Sequence, residues 1–293
     1  MAPKPDEGEM KLNNFYKEAE MALDKTLNDV DRLSIGLPLE CVEYADGIFY
    51  YLREIENQHL PKPAYLKYQS DLNEKMRSIL LDWLVEVHLK FKLLPETLFL
   101  TINLIDRYLE CEKVMRQKLQ LVGVTAMLIA SKYEEIYAPE IRDFVYITDK
   151  AYTKGEILKM ENDILARLNF NITVPSSYRF LERYSKLIKG DDLSFNLGRY
   201  LIELASVEYK MLKYQPSLIA AAAIYLSQKI LKKEFAWTPV LVQQSKYKET
   251  EIKPCAKDLC LILKNYEKGS LHALKRKFSL PKFKEVAKIK IEG

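Results

Sequence analysis

Residues 152–168, YTKGEILKMENDILARL, return in altered form as residues 247–263, YKETEIKPCAKDLCLIL. The two stretches share a tyrosine, a glutamate, an isoleucine, an aspartate and a final leucine at the same spacing, 95 positions apart. Upstream, the pair Ala126 and Ser131 recurs 96 positions later, so one loop residue reconciles the two offsets. This period is longer than the roughly 20–50 residues of a solenoid unit. The repeat therefore indicates two copies of a domain of about 100 residues.

Helical periodicity dominates the chain outside this repeat. Apolar residues between Val42 and Ile55 fall at steps of three and four, which is typical of an amphipathic helix. Residues 76–91 carry about twice the apolar positions that one buried stripe needs. Residues 119–130 are apolar nearly all round, and Gly123 would let a neighbouring helix approach closely. We therefore predict an all-α fold, in which an N-terminal helix precedes two helical domains.

Prolines and charge patterns predict the boundaries of these parts. Pro61 and Pro63 end the N-terminal helix region, because proline cannot continue a helix, and Pro175 marks a hinge between the two copies. The predicted parts are an acidic tail (1–40), an N-terminal helix and linker (41–75), a first domain (76–172), a second domain (173–280) and a basic C-terminal tail (281–293).

Composition excludes several classes of protein. The chain has 293 residues, of which 48% are hydrophobic, so it can bury a sizeable core. Its 45 basic and 41 acidic residues leave a net charge of only +4, which does not favour a strongly basic nucleic-acid binder. The longest apolar run has nine residues, against about 20 for a membrane span. Since the cysteines lack paired spacing and the first residues lack an apolar signal segment, we expect the protein in the nucleus and cytoplasm.

The sequence offers little for catalysis. It has no glycine-rich phosphate loop and no GxSxG nucleophile motif. The three histidines, His59, His88 and His272, are far apart and lack neighbouring metal ligands. His88 lies in an apolar helical stretch, where a hydrogen-bonded core histidine is the more common case. We predict a protein that is not an enzyme and that needs no metal or cofactor.

Comparison of the two copies singles out one charge pair. Lys132 has Gln228 as its counterpart, and Glu161 has Ala256. Charges present in one copy only are more natural in a partner-binding surface than in the shared fold. The alternative is an ordinary surface ion pair worth at most about 1 kcal/mol. Spacing alone favours neither interpretation.

Two segments carry a resemblance to a known family. Residues 76–84, MRSILLDWL, and residues 118–137, KLQLVGVTAMLIASKYEEIY, are similar to the two signature segments of the cyclin box. The resemblance extends over about residues 42–280. Within it, residues 87–91 and 131–135 resemble the B-type, mitotic subgroup. The family's fold is a tandem pair of five-helix boxes, which agrees with the repeat.

The resemblance implies a non-catalytic regulatory subunit that binds and activates a cyclin-dependent Ser/Thr kinase of the mitotic type. It also implies that the protein acts at the G2/M transition. Such a subunit holds the kinase αC helix in its active position, where a Lys–Glu pair of the kinase is assembled. The kinase-binding residues that the resemblance implies are Lys132, Glu161, Glu135, Ile136 and Phe170, with Tyr44 and Ile48 of the N-terminal helix as outlying contacts.

A second implied site lies on the helix of residues 76–91. Met76, Leu80 and Trp83 follow one another at i, i+4 and i+7 and share one face. On periodicity alone such a stripe is more typical of core. The resemblance implies a patch that docks RxL-type substrates or inhibitors and helps to recruit them, with Glu86 meeting the arginine of the motif. The patch it implies comprises Met76, Leu80, Trp83, Glu86, Leu119 and Gln120.

The resemblance to mitotic cyclins also implies a phosphate-binding pocket at Arg183 and Arg199, which would use charge-assisted hydrogen bonds. Phe195 stands where we expect a histidine in that subgroup, and two solvated arginines are the alternative. B-type cyclins generally carry an RxxL destruction box in a long N-terminal tail, and no RxxL precedes Met76. The chain is then a fragment, or has a different turnover signal, or is not degraded in the usual way.

One alternative function rests on the basic C-terminal region. Tandem cyclin folds also occur in general transcription factors of the TFIIB kind, and residues 264–290 contain nine basic residues. Such a run is more often a solvated or disordered face, and the zinc ribbon of that family is absent. We therefore expect no nucleic-acid partner.

Overall fold

A computed structural model describes residues 27–266 and 268–290. The described residues divide into two compact units, one ending at residue 52 and the other beginning at residue 53. In the first unit, Asn28 caps a short helix, α1 (Asp29–Arg32), by accepting hydrogen bonds from two of its backbone N–H groups. Helix α2 (Val42–Ile55) follows and runs across the boundary between the units. Most of the predicted acidic tail lies outside the described residues, so that prediction stays a prediction.

The second unit contains two successive sets of five helices. The first set is α3 (Glu74–Phe91), α4 (Pro95–Cys111), α5 (Arg116–Glu134), α6 (Ile141–Ile147) and α7 (Lys154–Arg167). The second set is α8 (Ser177–Leu187), α9 (Asp192–Val207), α10 (Pro216–Ile230), α11 (Pro239–Ser245) and α12 (Glu249–Tyr266). A last helix, α13 (Ala273–Phe278), follows. No strand occurs among the described residues, and the predicted tandem five-helix fold is confirmed.

Short 3-10 segments connect and extend these helices. They are Pro38–Glu40 in the first unit and Glu56–His59, Tyr65–Tyr68, Tyr209–Lys213, Pro281–Phe283 and Val286–Lys288 in the second. Glu56, in the first of the linker segments, is buried and accepts hydrogen bonds from the backbone N–H and the hydroxyl of Ser217. It thereby caps the N-terminus of α10, where backbone N–H groups lack helical partners.

The third helix of each domain is its core. Helix α5 is buried on nearly every side from Leu121 to Ser131, and α10 is buried in the same way from Ile219 to Gln228. A Cβ atom at Gly123 would lie 2.8 Å from Leu80 Cδ1, so any larger residue there would force the Leu80 side chain to shift. The close approach predicted at this glycine is confirmed.

The repeated aspartates have one role in both domains. Asp163 of α7 accepts a hydrogen bond from the hydroxyl of Tyr108, and Asp258 of α12 accepts one from Tyr214 at 2.9 Å. Each tyrosine precedes the central helix of its own domain. The aspartate therefore ties the fifth helix to the entry of the third, which explains why it recurs at a fixed spacing.

A buried ion pair of the first domain also binds the second domain. Arg77 on α3 binds Asp106 on α4 through two hydrogen bonds of 2.6 and 2.7 Å, and both residues are about 1% exposed. The same guanidinium donates to the carbonyl oxygens of Ser206 (3.1 Å) and Val207 (2.9 Å) at the end of α9. Tyr65 donates a further hydrogen bond to Asp106. One cluster thus joins the linker, the first domain and the second.

The basic C-terminal region packs against both domains. Lys277 of α13 is fully buried, and its Nζ lies 2.6 Å from an equally buried carboxylate oxygen of Glu203 on α9. Phe278 is fully buried beside it, and Phe283 is buried in the segment that follows. The expectation of a solvated or disordered face is wrong at these positions, because charge counting does not reveal that a lysine has a buried partner.

Candidate functional site

The charge pair found by comparing the domains exists in the structure. Lys132 lies in the last turn of α5, and its Nζ is 2.6 Å from Glu161 Oε1 on α7. The Lys132 side chain is 51% exposed, whereas that of Glu161 is only 11% exposed. Their counterparts Gln228 and Ala256 are both buried. The first domain thus exposes a lysine ammonium group held by a largely buried carboxylate. The second domain has neutral, buried residues at the equivalent positions.

Exposed apolar side chains lie in the segments that follow the two helices of this pair. Directly after α5, Ile136 is 89% and Tyr137 is 92% exposed. Phe170, in the turn after α7, is 70% exposed, and its φ of 55° is uncommon for a residue other than glycine. The Tyr133 and Thr173 hydroxyls are hydrogen-bonded, which joins the end of α5 to this second segment. Large apolar groups left in water together are typical of a contact surface.

Glu135 has a role that the sequence did not reveal. Its carboxylate accepts hydrogen bonds from the backbone N–H of Leu94 at 2.7 Å and from the Thr97 hydroxyl at 2.5 Å. Leu94 is the N-cap residue of α4, and its own side chain cannot cap. Glu135 therefore fixes the segment after α5 to the start of α4, and this placement positions Ile136 for exposure.

Two other predicted contacts belong to the first compact unit. Tyr44 and Ile48 lie one turn apart on α2, on the same helix face. Both side chains are exposed.

The predicted docking patch is divided into a floor and a rim. Leu80 and Leu119 are buried, whereas Met76, Trp83 and Gln120 are partly exposed. Leu80 is covered because Gly123 admits it against α5. Ile79, three residues after Met76 on the adjoining side, is half exposed and was not among the predicted patch residues. Its i+3 spacing from Met76 is the sequence signal that identifies it.

Glu86, at the end of this patch, has a partner within the chain. Its carboxylate forms an ion pair with the guanidinium of Arg276 on α13. Other basic residues of the C-terminal region are also paired, Lys284 with Asp192 and Lys288 with Glu285. These pairs reduce the positive charge that the region can offer to nucleic-acid phosphates.

Arg183 and Arg199 have different neighbours. Arg199 binds Glu203 at 3.1 Å and lies over the ring of Phe283, with its side chain largely buried. Arg183 is buried and donates to the side chain of Gln244 on α11 at 3.3 Å. A phosphate at Arg199 would have to compete with the Glu203 carboxylate. The shared phosphate pocket stays a prediction.

The described part of the chain shows neither a metal-binding cluster nor a membrane-spanning helix. No group of three or more His, Cys, Asp or Glu residues there is arranged to hold a metal ion. None of its helices combines the length and the apolar character needed to cross a membrane.

The tandem fold agrees with comparison to family models. The model of the cyclin N-terminal domain matches residues 47–173, and that of the cyclin C-terminal domain matches residues 175–292. The chain belongs to the cyclin family. The second match extends beyond residue 280, which agrees with the packing of α13 and the segment after it.

Curated relatives assign the chain to the B-type, G2/mitotic subgroup. The G2/mitotic-specific cyclin-B of Marthasterias glacialis is 45% identical over 278 residues, which are 95% of this chain and 71% of that protein. Cyclin-B2-1 of Oryza sativa subsp. japonica is 45% identical over 265 residues, which are 90% of this chain and 63% of that protein. The resemblance to B-type cyclins is thus confirmed, and the chain spans about two thirds of the length of these relatives.

Solved structures share the fold at low sequence identity. A viral cyclin from herpesvirus saimiri matches with a TM-score of 0.65 and 20% identity, covering 75% of this chain and 99% of that one. A chain of the yeast RNA Pol II CTD kinase CTDK-1 complex matches with a TM-score of 0.57 and 15% identity, covering 82% of this chain and 81% of that one.

Proposed function

We propose that this chain is a non-catalytic regulatory subunit that binds and activates a cyclin-dependent Ser/Thr protein kinase. The observation that carries the proposal is the Lys132–Glu161 pair, which has no charged equivalent in the second domain. Its lysine is half exposed, and the segments that follow its two helices carry exposed apolar residues. Membership of the B-type subgroup supports a mitotic kinase as the partner and the G2/M transition as the time of action.

Activation requires that the subunit bind one kinase conformation better than the other. A protein kinase is active when its Lys–Glu ion pair is assembled, which depends on the position of its αC helix. A partner that binds only the inward position of αC shifts the population toward it. A shift from 1:99 to 99:1 needs a differential affinity of about 5.5 kcal/mol. A large apolar contact with a few directed charges can supply this free energy.

The surface around the pair has both components. Ile136, Tyr137 and Phe170 offer apolar area that water covers in the free chain. Lys132 is oriented by Glu161, so its remaining N–H groups can donate to carbonyl oxygens at the end of a partner helix, where such acceptors are unpaired. Tyr44 and Ile48 are further contacts in this proposal.

The first test is binding of the full chain to a purified mitotic cyclin-dependent kinase, measured by calorimetry. Lys132→Ala and Glu161→Gln should each weaken binding by about thirtyfold or more, since truncating a buried charge contact at an interface costs about 2–5 kcal/mol. Lys118→Ala is the matched control, because Lys118, at the other end of α5, forms an ion pair with Glu156 of the same α7 helix. It should leave binding unchanged.

A charge exchange separates partner binding from folding. The double variant K132E/E161K can keep an ion pair within the chain while reversing what a partner meets. We expect its thermal unfolding to stay near that of the native chain while kinase binding is lost. If this double variant still bound the kinase, or if Lys118→Ala lost as much kinase affinity as Lys132→Ala, the pair would act only through the stability of the fold.

The docking patch belongs to the same proposal. The rim residues Met76 and Trp83 surround an apolar floor and are followed by an acidic residue, Glu86, which suits a peptide with an arginine near apolar side chains. Trp83→Ala should weaken binding of an RxL-type peptide without changing kinase binding.

We also infer that the protein acts in the nucleus and cytoplasm, which imaging of a fluorescent fusion through the cell cycle would test.

A further inference from the structure

The acidic end of the docking patch already holds a guanidinium from this chain. Glu86 lies one turn beyond Trp83 on α3, and its carboxylate pairs with Arg276 of α13. The two side chains are 45% and 65% exposed, so a peptide on the patch can reach both of them.

The backbone at Arg276 is held firmly in place. On one side of it, Leu274 is fully buried, and on the other Lys277 forms the buried ion pair with Glu203. Asp82 on α3 accepts a hydrogen bond of 3.1 Å from the backbone N–H of Ala273 at the start of α13. Only the side chain of Arg276 can therefore move away from Glu86.

The Glu86–Arg276 ion pair disfavours binding of a second arginine, from a peptide, at the Glu86 carboxylate. A carboxylate binds a guanidinium best through two parallel hydrogen bonds, which one arginine provides. A second guanidinium at the same carboxylate would bring two positive charges close together. Because Arg276 is tethered within reach, its effective concentration is far above that of a peptide in solution.

We propose that Arg276 is a specificity-determining residue of the docking patch that competes with the arginine of an incoming peptide for Glu86. The patch then selects partners by their apolar side chains, at Met76 and Trp83, more than by their arginine. This inference rests on the proposed docking function and adds to it a residue outside the helix that carries the patch.

The test uses fluorescence anisotropy with two labelled peptides, one with an RxL motif and one with its arginine replaced by alanine. The RxL peptide should bind Arg276→Ala about three- to fivefold more tightly than the native chain, the amount a surface ion pair contributes. Lys275→Ala, which removes the same charge from the neighbouring position, should bind like the native chain. Loss of the peptide arginine should cost more affinity in Arg276→Ala than in the native chain.

The outcomes separate this inference from the docking function. If the peptide binds and Trp83→Ala abolishes binding, but Arg276→Ala and the native chain bind equally, the patch docks peptides and the inference is wrong. Equal tightening in Lys275→Ala also overturns it, because total charge would then be the cause. If no peptide binds to any variant at low salt, the docking function fails and the inference fails with it.

Discussion

At the residue scale, burial decides what a charged group can do. His88 on α3 is almost fully buried, and its Nε2 lies 2.8 Å from the carbonyl oxygen of Leu94. Burial, together with the positive charge of Lys277, lowers the pKa of His88 from 6.5 to about 4, although Glu203 opposes this shift and Arg199 adds to it. The expectation of a hydrogen-bonded core histidine is confirmed.

The lowered pKa predicts a dependence of stability on pH. The unfolded chain binds a proton at His88 below about pH 6.5, whereas the folded chain does so only near pH 4. The contribution of neutral His88 to the free energy of unfolding is therefore fully present above about pH 6.5 and is lost as the pH falls toward 4. The difference corresponds to about 3 kcal/mol for this group. Urea unfolding of His88→Gln should lack this contribution.

A native chain whose loss of stability between about pH 6.5 and about pH 4 matches that of His88→Gln would contradict the assignment.

Single residues also show what the sequence can and cannot predict. Lys132 and Glu161 stand out because the two copies of the repeat can be compared and only the first copy is charged there. The positions that the copies share are core or helix-capping residues. The Leu94 cap made by Glu135 depends on two segments that are distant in sequence, so no local pattern predicts it. The same applies to Arg276 and Glu86, which come together only through the packing of α13.

At the element scale, the fifth helix of the first domain begins with a reciprocal cap. The Thr153 hydroxyl accepts from the backbone N–H of Glu156, and the Glu156 carboxylate accepts from the backbone N–H of Thr153 at 3.0 Å. In the second domain, Glu251 accepts in the same way from Lys248 at 2.7 Å. The repeated glutamate is therefore a helix start signal, which is why it recurs at a fixed distance from the core isoleucine.

This cap predicts an acid-sensitive contribution. The backbone hydrogen bond from Thr153, assisted by Lys118, lowers the pKa of Glu156 to about 2. The ionised Glu156 carboxylate therefore contributes fully to stability above the ordinary pKa of 4.5, and this contribution is lost as the pH falls toward 2. Glu156→Gln should lower the melting temperature near neutral pH, and its difference from the native chain should narrow between about pH 5 and about pH 3. A difference that stays constant over this range would show that the charge has no part in the cap.

Helices with strong periodicity were predictable and the C-terminal helix was not. In α5 and α10 the apolar pattern is dense enough to indicate a buried helix without tertiary information. In α13, three consecutive basic residues conceal a helix whose lysine is buried against Glu203. Local pattern fails there because the partner that makes burial possible lies in another helix.

At the scale of the whole molecule, the Arg77 cluster holds the two cyclin domains together. Removing one member of a buried ion pair leaves an unpaired buried charge and typically costs about 3–5 kcal/mol. Arg77→Met should lower the free energy of unfolding by about this amount in urea titrations, while Arg116→Met, which breaks an exposed pair with Asp71, should cost about 1 kcal/mol or less. Adding Asp106→Asn to Arg77→Met should restore part of the loss. Equal effects of the two arginine substitutions would mean that the buried Arg77 cluster contributes no more to the free energy of unfolding than an exposed ion pair does.

The most direct test of the proposed function is phosphorylation of histone H1 by a purified mitotic cyclin-dependent kinase, measured with and without this chain. We expect strong stimulation by the native chain, nearly complete loss with the Lys132/Glu161 double alanine variant, and full stimulation by Lys118→Ala. A kinase that the native chain neither binds nor stimulates, in a series that covers the mitotic kinases, would contradict the proposed function while leaving the cyclin fold in place.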